Sequence, residues 1–435
     1  FEEGTRIPPV KIRKDGDVDQ EILDIFLHNV RTETVARGDV SAQIASTITG
    51  EENLEELADQ YGPETLSEYF EEILAYSERR MRNGIQNIDD GTGAFEDYME
   101  AGEIVSNEDE IRIRAEVAID DDEIHVDFSG SSEQIDGPLN AVRPLTLSCV
   151  YYTVKAVVDP ELPTNDGAYR PITVQTPDGS IVDANYPAPT GNANSVTCQR
   201  IVDVLLGAFK DVVPARVMAA CAGTMNGVSI GGTFPDADGM YTYIETYGGG
   251  QGAMHDADGM DGVHMNMTNT QNAPIEVLEN TYPFEIDRYE LVEDSEGPGT
   301  FRGGLGIARE INIKSDATIA IRADRDKIPP WGVFGGGDAS RSNIALVHPD
   351  GERESMPSKF VRTVAPGTKL DLRTAGGGGW GSPLERDPEQ VVADVSDGFV
   401  SADRAEKVYG VVLTDAGRLD EAATRELRAE RSPEE

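Results

Sequence analysis

The chain has 435 residues, 38% of them apolar and 27% charged, a globular composition that excludes a collagen, a coiled-coil rod or a wholly disordered polypeptide and suggests two to three domains. Its 80 acidic residues against 37 Lys and Arg leave a net charge of −43, a field that repels phosphate backbones and excludes general nucleic-acid binding. Nine of those cations are lysine and the acids are spread along the chain, the pattern expected of a halophilic protein whose carboxylates hold water and hydrated cations.

The predicted elements make an α+β fold. Residues 1–108 read as mainly helical: Ile22, Leu23, Phe26, Leu27 and Val30 follow the 3.6-residue period, and Leu66, Tyr69, Phe70, Ile73, Leu74 and Ser77 repeat it. From residue 109 the period becomes two. Ile111, Ile113, Ala115, Val117 and Ile119 alternate with polar residues, an acidic turn follows at 120–122, and Ile124, Val126 and Phe128 answer it, which predicts a hairpin with one buried face. Two apolar helical stretches, 141–158 and 195–209, complete a mixed central part over 109–222, and the first is expected to be a central buried helix. Glycine clusters punctuate residues 223–386, with short strand-like runs at 318–322, 344–347 and 369–372, so this part is read as β-rich with many tight turns. Residues 387–435 read as a charged helical extension.

No apolar run reaches the roughly 20 residues of a membrane span; the best, 145–158, is interrupted by Lys155. The three cysteines, Cys149, Cys198 and Cys221, are odd in number and lack metal-ligand spacing, which predicts reduced thiols in a cytoplasm. The chain opens on Phe1 without a signal peptide, and the expectation is a processed chain or a part of a longer product.

Of the five histidines, His28 falls on a helix, His125 on a strand and His348 before a turn. His255 and His264 follow the glycines Gly248, Gly249 and Gly250, whose backbone amides can approach a ligand closely. No G-x-x-x-x-G-K-[ST] pattern accompanies them, so nucleotide binding by this run is not indicated, and no G-x-S-x-G nucleophile elbow is present. The stretch 262–272 is dense in side chains that donate and accept hydrogen bonds, a composition suited to orienting a small amide and equally to a self-satisfied polar loop. The word Asp-Ala-Asp-Gly-Met occurs at 236–240 and again at 256–260. Neither copy supplies the ligands of an EF-hand loop, and a turn is expected at both.

Those same segments carry a more specific signal. The ordered words Glu3-Gly4-Thr5-Arg6-Ile7-Pro8-Pro9-Val10-Lys11, Tyr76-Ser77-Glu78-Arg79-Arg80-Met81, Asp127-Phe128-Ser129-Gly130-Ser131 and Gly137-Pro138-Leu139-Asn140 resemble the hydantoinase B family. So do Tyr247-Gly248-Gly249-Gly250, Met267-Thr268-Asn269-Thr270, Gly299-Thr300-Phe301-Arg302-Gly303-Gly304-Leu305-Gly306, Pro329-Pro330-Trp331-Gly332 and Gly376-Gly377-Gly378-Gly379-Trp380-Gly381. That family includes the corresponding part of 5-oxoprolinase and a subunit of acetone and acetophenone carboxylases. The resemblance departs at two points. Family members usually begin with a further segment carrying a His- and Asp-containing metal motif, which falls before Phe1, and Asn266 stands where a second histidine is common.

The resemblance implies a subunit of an ATP-dependent cyclic-amide hydrolase of the hydantoin, N-methylhydantoin or 5-oxoproline type. A hydantoinase A-type partner binds ATP and phosphorylates the small-molecule substrate, and this chain handles the activated intermediate. A divalent metal is a possible cofactor, its ligands mostly in the preceding segment. The alternatives are a subunit of an ATP-dependent ketone carboxylase and a non-catalytic scaffold for the A-type partner. His264, Asn269 and Thr270 are expected to be catalytic; Gly248, Gly249, Gly250, Asn266 and Asn272 are expected to bind substrate.

Charge alone generates a prediction. At low ionic strength a net charge of −43 repels itself, whereas at molar salt the Debye length falls to about 3 Å. The melting midpoint is expected to rise from dilute buffer to molar KCl. Equal midpoints contradict salt adaptation.

Overall fold

The computed structural model describes residues 7–30, 33–105, 110–235 and 238–431, which form two compact units. The smaller is Phe1–Met81 with Leu162–Arg170, and the larger is Arg82–Glu161 with Pro171–Glu435. In the smaller unit two short strands, β1 (Arg13–Lys14) and β2 (Asp17–Val18), precede α1 (Gln20–Leu27). Asp19 caps α1 by accepting from the Ile22 amide, and Leu23 and Leu27 are its buried face. Helix α2 (Glu33–Tyr61) buries none of its side chains. Helix α3 (Pro63–Gln86) holds the predicted apolar stripe, yet Tyr69, Phe70 and Ile73 stay exposed. Within this unit the α3 backbone at Leu74 lies so close to Gly167 that an added Cβ would meet its carbonyl oxygen at 1.9 Å.

The larger unit begins with β3 (Gly91–Glu100), which pairs with the predicted hairpin β4 (Glu110–Asp120) and β5 (Glu123–Asp127). Ile111, Ile113, Ala115, Val117 and Ile119 are all buried, as their period of two requires. Strand β3 lies inside the stretch whose sequence reads as helical. Its inward positions include Asp97 and Glu100, so acid residues mask the alternation that normally announces a strand. Helix α4 (Arg143–Val158) follows, and β6 (Ile172–Gln175) joins β5 in parallel. Helix α5 (Cys198–Phe209) packs on β3, β4 and α4. All twelve of its residues are buried, whereas α4 exposes Pro144, Ser148 and Ala156. The central buried helix is therefore α5. Glycines let it approach the sheet: a Cβ on Gly93 would meet the Ala208 carbonyl oxygen at 2.1 Å, and one on Gly207 the Phe95 ring at 2.4 Å.

Beyond α5 two sheets share one core. The first is ordered β14-β11-β7-β8, from β7 (Gly227–Thr233), β8 (Met240–Thr246), β11 (Ala317–Arg322) and β14 (Lys359–Val364). The second is β13-β12-β15-β10-β9, from β9 (Phe284–Leu291), β10 (Ile307–Ile313), β12 (Asn343–Val347), β13 (Arg353–Met356) and β15 (Lys369–Arg373). Ile230, Tyr243, Ile319 and Phe360 from one meet Phe284, Ile311, Leu346 and Leu370 from the other. Helix α6 (Ile275–Thr281) leads into β9, and the chain closes with α7 (Pro388–Ser396), α8 (Ala402–Lys407) and α9 (Glu421–Arg431) around a small core of Val391, Val400, Ala405, Tyr409 and Val411.

Several glycine clusters expected to be turns are instead points of backbone contact. Gly250, Gly304 and Gly377 lie in three chain segments linked by Gly304 N to Gln251 O at 2.8 Å and Gly377 N to Gly304 O at 2.9 Å. Side chains there would collide with main chain, so glycine is demanded by close approach. Of the repeated acidic word, residues 236 and 237 lie outside the described residues. The second copy is an irregular loop whose Asp258 accepts from Arg386 Nη1 at 2.7 Å and from the Arg302 amide at 2.8 Å.

A buried ion cluster ties α5 to both neighbouring layers. Arg200 pairs with Asp324 at 2.8 Å and Asp97 at 3.3 Å; Arg325 pairs with Asp97 and Asp203, each at 3.0 Å; Lys359 pairs with Asp324 at 2.7 Å. Burial pushes Asp203 up while Arg325 and Arg200 oppose it, and its 3.0 Å contact with Arg325 is ion-pair geometry. The seventh member, Glu100, is pushed up to about 8 by burial and then by the Asp324 charge. With Glu100 protonated, three carboxylates face three cations and the cluster is neutral.

Because the folded pKa of Glu100 lies above its ordinary value of 4.5, its contribution is full below 4.5 and is lost as pH rises through about 8. Glu100→Gln mimics the protonated form, so its melting midpoint should decline less than that of the wild type between about pH 5 and pH 8. Parallel declines contradict a protonated Glu100.

Candidate functional site

Two cavities in the larger unit share a wall. One, of about 710 Å³, is lined by His264, Asn269, Thr270, Asn272, Glu276 and Tyr289 among others. The second, of about 350 Å³, is lined by Asn194, Cys198, Gln199, Met225 and Met267 as well as Thr268. Asn269 and Thr270 belong to both.

The segment following His264 is held to the end of β8. Asn272 Nδ2 donates to the Thr246 carbonyl at 2.8 Å, and the Ala273 amide donates to Glu245 Oε1 at 2.6 Å. Glu245 Oε2 accepts from Arg309 Nη1 at 2.9 Å and from the Tyr243 hydroxyl. The Arg309 guanidinium also lies over the Tyr247 and Tyr289 rings, 4.6 and 5.0 Å from their centroids. Tyr289 completes the wall by donating to Asn272 Oδ1 at 3.2 Å. The loop that forms the cavity is thus pinned at two consecutive residues by groups that are themselves buried and paired.

His264 is half-buried, and burial lowers its pKa below 6.5 despite the Thr246 backbone contact and the nearby Glu245 charge, so the ring is neutral at pH 7. Its Nε2 lies 3.4 Å from the Thr246 carbonyl oxygen, which only accepts, and 3.5 Å from the Thr246 hydroxyl, which can do either; the carbonyl assigns the proton to Nε2. The lone pair is then on Nδ1, which has no hydrogen-bond partner among the described residues. Nδ1 is itself buried, so His264 stands at the cavity as a neutral imidazole whose lone pair is unpaired.

The other expected residues divide. Asn269 and Thr270 are exposed on the shared wall, and Asn272 is half-buried in the larger cavity. Asn266 lines neither cavity: it holds a left-handed backbone, φ +52°, and its Nδ2 donates to Asp203 of the ion cluster at 3.3 Å. Gly248, Gly249 and Gly250 also line neither. Their amides are not a ligand cradle, because Gly249 N donates to Val263 O and Gly250 N to Ala375 O, each at 3.0 Å, and a Cβ on Gly248 would meet the Gly262 carbonyl oxygen at 2.6 Å. His255 is exposed beside Asp256, apart from His264. Among the described residues no group of three or more His, Cys, Asp or Glu is placed to hold a metal ion, so no step is assigned to one. No helix among them is long and apolar enough to cross a membrane.

Sequence reasoning missed Gln199, Glu245 and Tyr289. The first had a signal: Gln199, Arg200 and Asp203 are polar residues inside an apolar helix, and such residues are buried only with a purpose or a partner.

Residues 1–383 match the sequence profile described as Hydantoinase B/oxoprolinase. The chain belongs to this family. It is 32% identical over 98% of its length to the B component of a putative D-/L-hydantoinase from Pseudomonas sp. (strain NS671), covering 74% of that protein, and 39% identical to an uncharacterized protein of Methanocaldococcus jannaschii with the same coverage. Its fold matches the crystal structure of the ATP-dependent caprolactamase from Pseudomonas jessenii, with a TM-score of 0.90 and 30% identity, covering 99% of this chain and 75% of that one. An acetone carboxylase in its nucleotide-free structure shares the fold at a TM-score of 0.86 and 20% identity, over 97% of this chain and 63% of the other.

The tautomer and the lowered pKa are directly measurable. A 15N-resolved NMR titration should find Nε2 protonated, Nδ1 bare and a midpoint below 6.5 for His264. A midpoint at or above 6.5, or a proton on Nδ1, contradicts this arrangement.

Proposed function

We propose that this chain is the B-type subunit of an ATP-dependent cyclic-amide hydrolase of the hydantoin, N-methylhydantoin or 5-oxoproline type, active as part of a complex. An A-type partner binds ATP and transfers its γ-phosphoryl group to the ring amide oxygen. A lactam resists water because its nitrogen lone pair is delocalised into the carbonyl, and phosphorylation of the oxygen removes that resistance. Water then adds to the ring carbon, giving its proton to the neutral His264 imidazole. The C–N bond opens with a proton passing to nitrogen, and a second water cleaves the acyl phosphate to leave a carboxylate and phosphate. Asn269 and Thr270 donate to the oxygens on which charge develops, while Asn272 positions the wall that carries them.

The observation that carries this reading is the neutral His264, its Nδ1 without a hydrogen-bond partner among the described residues, lining one cavity with Asn269 and Thr270. The relatives named as a hydantoinase component and a caprolactamase support it at 30% identity or more. Likeness to the acetone carboxylase extends to the fold alone, so ketone carboxylation has no comparable support. The cysteines are free and buried, which supports a reducing, cytoplasmic setting.

With the partner and ATP present, Asn269→Ala should lower ring-opening turnover by roughly 100-fold while the melting midpoint is unchanged, the cost of one lost donor to a developing oxyanion. Full turnover in that variant would mean that the chain serves as a scaffold or that the chemistry lies elsewhere.

A further inference from the structure

Gln199 is the group the mechanism leaves unused. It is 0% exposed on α5, and neither its Oε1 nor its Nε2 has a hydrogen-bond partner among the described residues. A buried carboxamide with both ends unmet is rare, because each end gives up its bonds to water without replacement. Gln199 lines the cavity of about 350 Å³, a volume within the range of small-molecule sites. Leu145, Met225 and Met267 supply apolar wall, and Asn269 and Thr270 connect it to the larger cavity.

The geometry points to the ligand. A carboxamide presents a carbonyl oxygen and an N–H side by side in one plane. A small ring forces its own amide to be cis, so a lactam presents C=O and N–H on a single edge. The two edges are complementary: Nε2–H donates to the lactam oxygen, and the lactam N–H donates to Oε1. An open-chain trans amide carries these groups on opposite edges and can form only one of the bonds, and a ketone or lactone has no N–H for Oε1. The lactam oxygen keeps a second lone pair, so its capture leaves it open to phosphorylation.

We infer that Gln199 reads the cis-amide edge of the cyclic substrate through two antiparallel hydrogen bonds, with Leu145, Met225 and Met267 packing on the ring methylenes. This rests on the cyclic-amide reading above and adds the residue that selects for it. The carboxamide is held ready by its neighbour: Arg200 is locked to Asp324 and Asp97, so α5 cannot turn to hide Gln199 elsewhere. Gln199 is thus a specificity residue on the structural helix itself.

The test is calorimetric binding to the full chain in complex with its partner, without ATP, of 2-piperidone and of δ-valerolactone, which differ by N–H against O. The wild type should prefer the lactam by about 10- to 100-fold, the usual penalty when a site built for a donor meets an analogue without one. Gln199→Met should lose that preference, binding lactam and lactone alike, and should melt higher than the wild type when ligand-free because two unmet polar groups are gone. Gln199→Leu, a second variant without an acceptor for the lactam N–H, should also lose the preference. A wild-type complex that binds the lactam with no preference over the lactone overturns the inference without any variant. So does a folded Gln199→Met that keeps the preference. A wild-type complex that binds no lactam overturns the cyclic-amide reading, and this inference with it.

Discussion

The placement of the site depends on the charge cluster buried against α5. Seven ionisable residues are removed from water there, and each isolated charge would be prohibitive in such a setting. Pairing Arg200, Arg325 and Lys359 with Asp97, Asp203 and Asp324 makes burial tolerable, while breaking any one pair strands a charge and costs about 3–5 kcal/mol. The pairs come from β3, α5, the segment after β11, and β14, so the cluster fixes the relative position of one sheet, the helix and the next sheet. The functional elements sit within one or two residues of it. Gln199 precedes Arg200, and Asn266, which donates to Asp203, lies two residues after His264. A site built in this way takes its precision from electrostatics inside a dry core.

Glycine supplies the second constraint. Where the segments around Gly250, Gly304 and Gly377 cross, main chain meets main chain and side chains are excluded. That crossing sets where β8 hands the chain to the loop bearing His264. Glu245, Arg309 and Asn272 then hold that loop by hydrogen bonds and ion pairing.

Much of the fold was legible in the residues. The period of two at 111–119 and the runs at 318–322, 344–347 and 369–372 became β4, β11, β12 and β15, because one face of each is apolar and buried. The family, too, was legible, since its words survive in order along the chain. Strand β3 was not, because it turns Asp97 and Glu100 inward to partners that only tertiary structure brings. The glycine amides at 249 and 250 looked like a ligand cradle because sequence cannot tell a glycine needed for a ligand from one needed for a neighbouring strand. His264, Asn269 and Thr270 were legible as a polar concentration. The unpaired His264 Nδ1 and the unpaired Gln199 depend on three-dimensional surroundings.

The proposed reaction of this chain with its partner is the opening of a ring amide by water. The most direct measurement is ATP-driven turnover of a lactam by the complex in 18O-labelled water with bicarbonate removed. The expected result is ring opening to an amino acid whose carboxylate carries at least one oxygen from the labelled water, together with release of ADP and phosphate. No ring opening of any lactam, or turnover only of a ketone and only with bicarbonate restored, would contradict it.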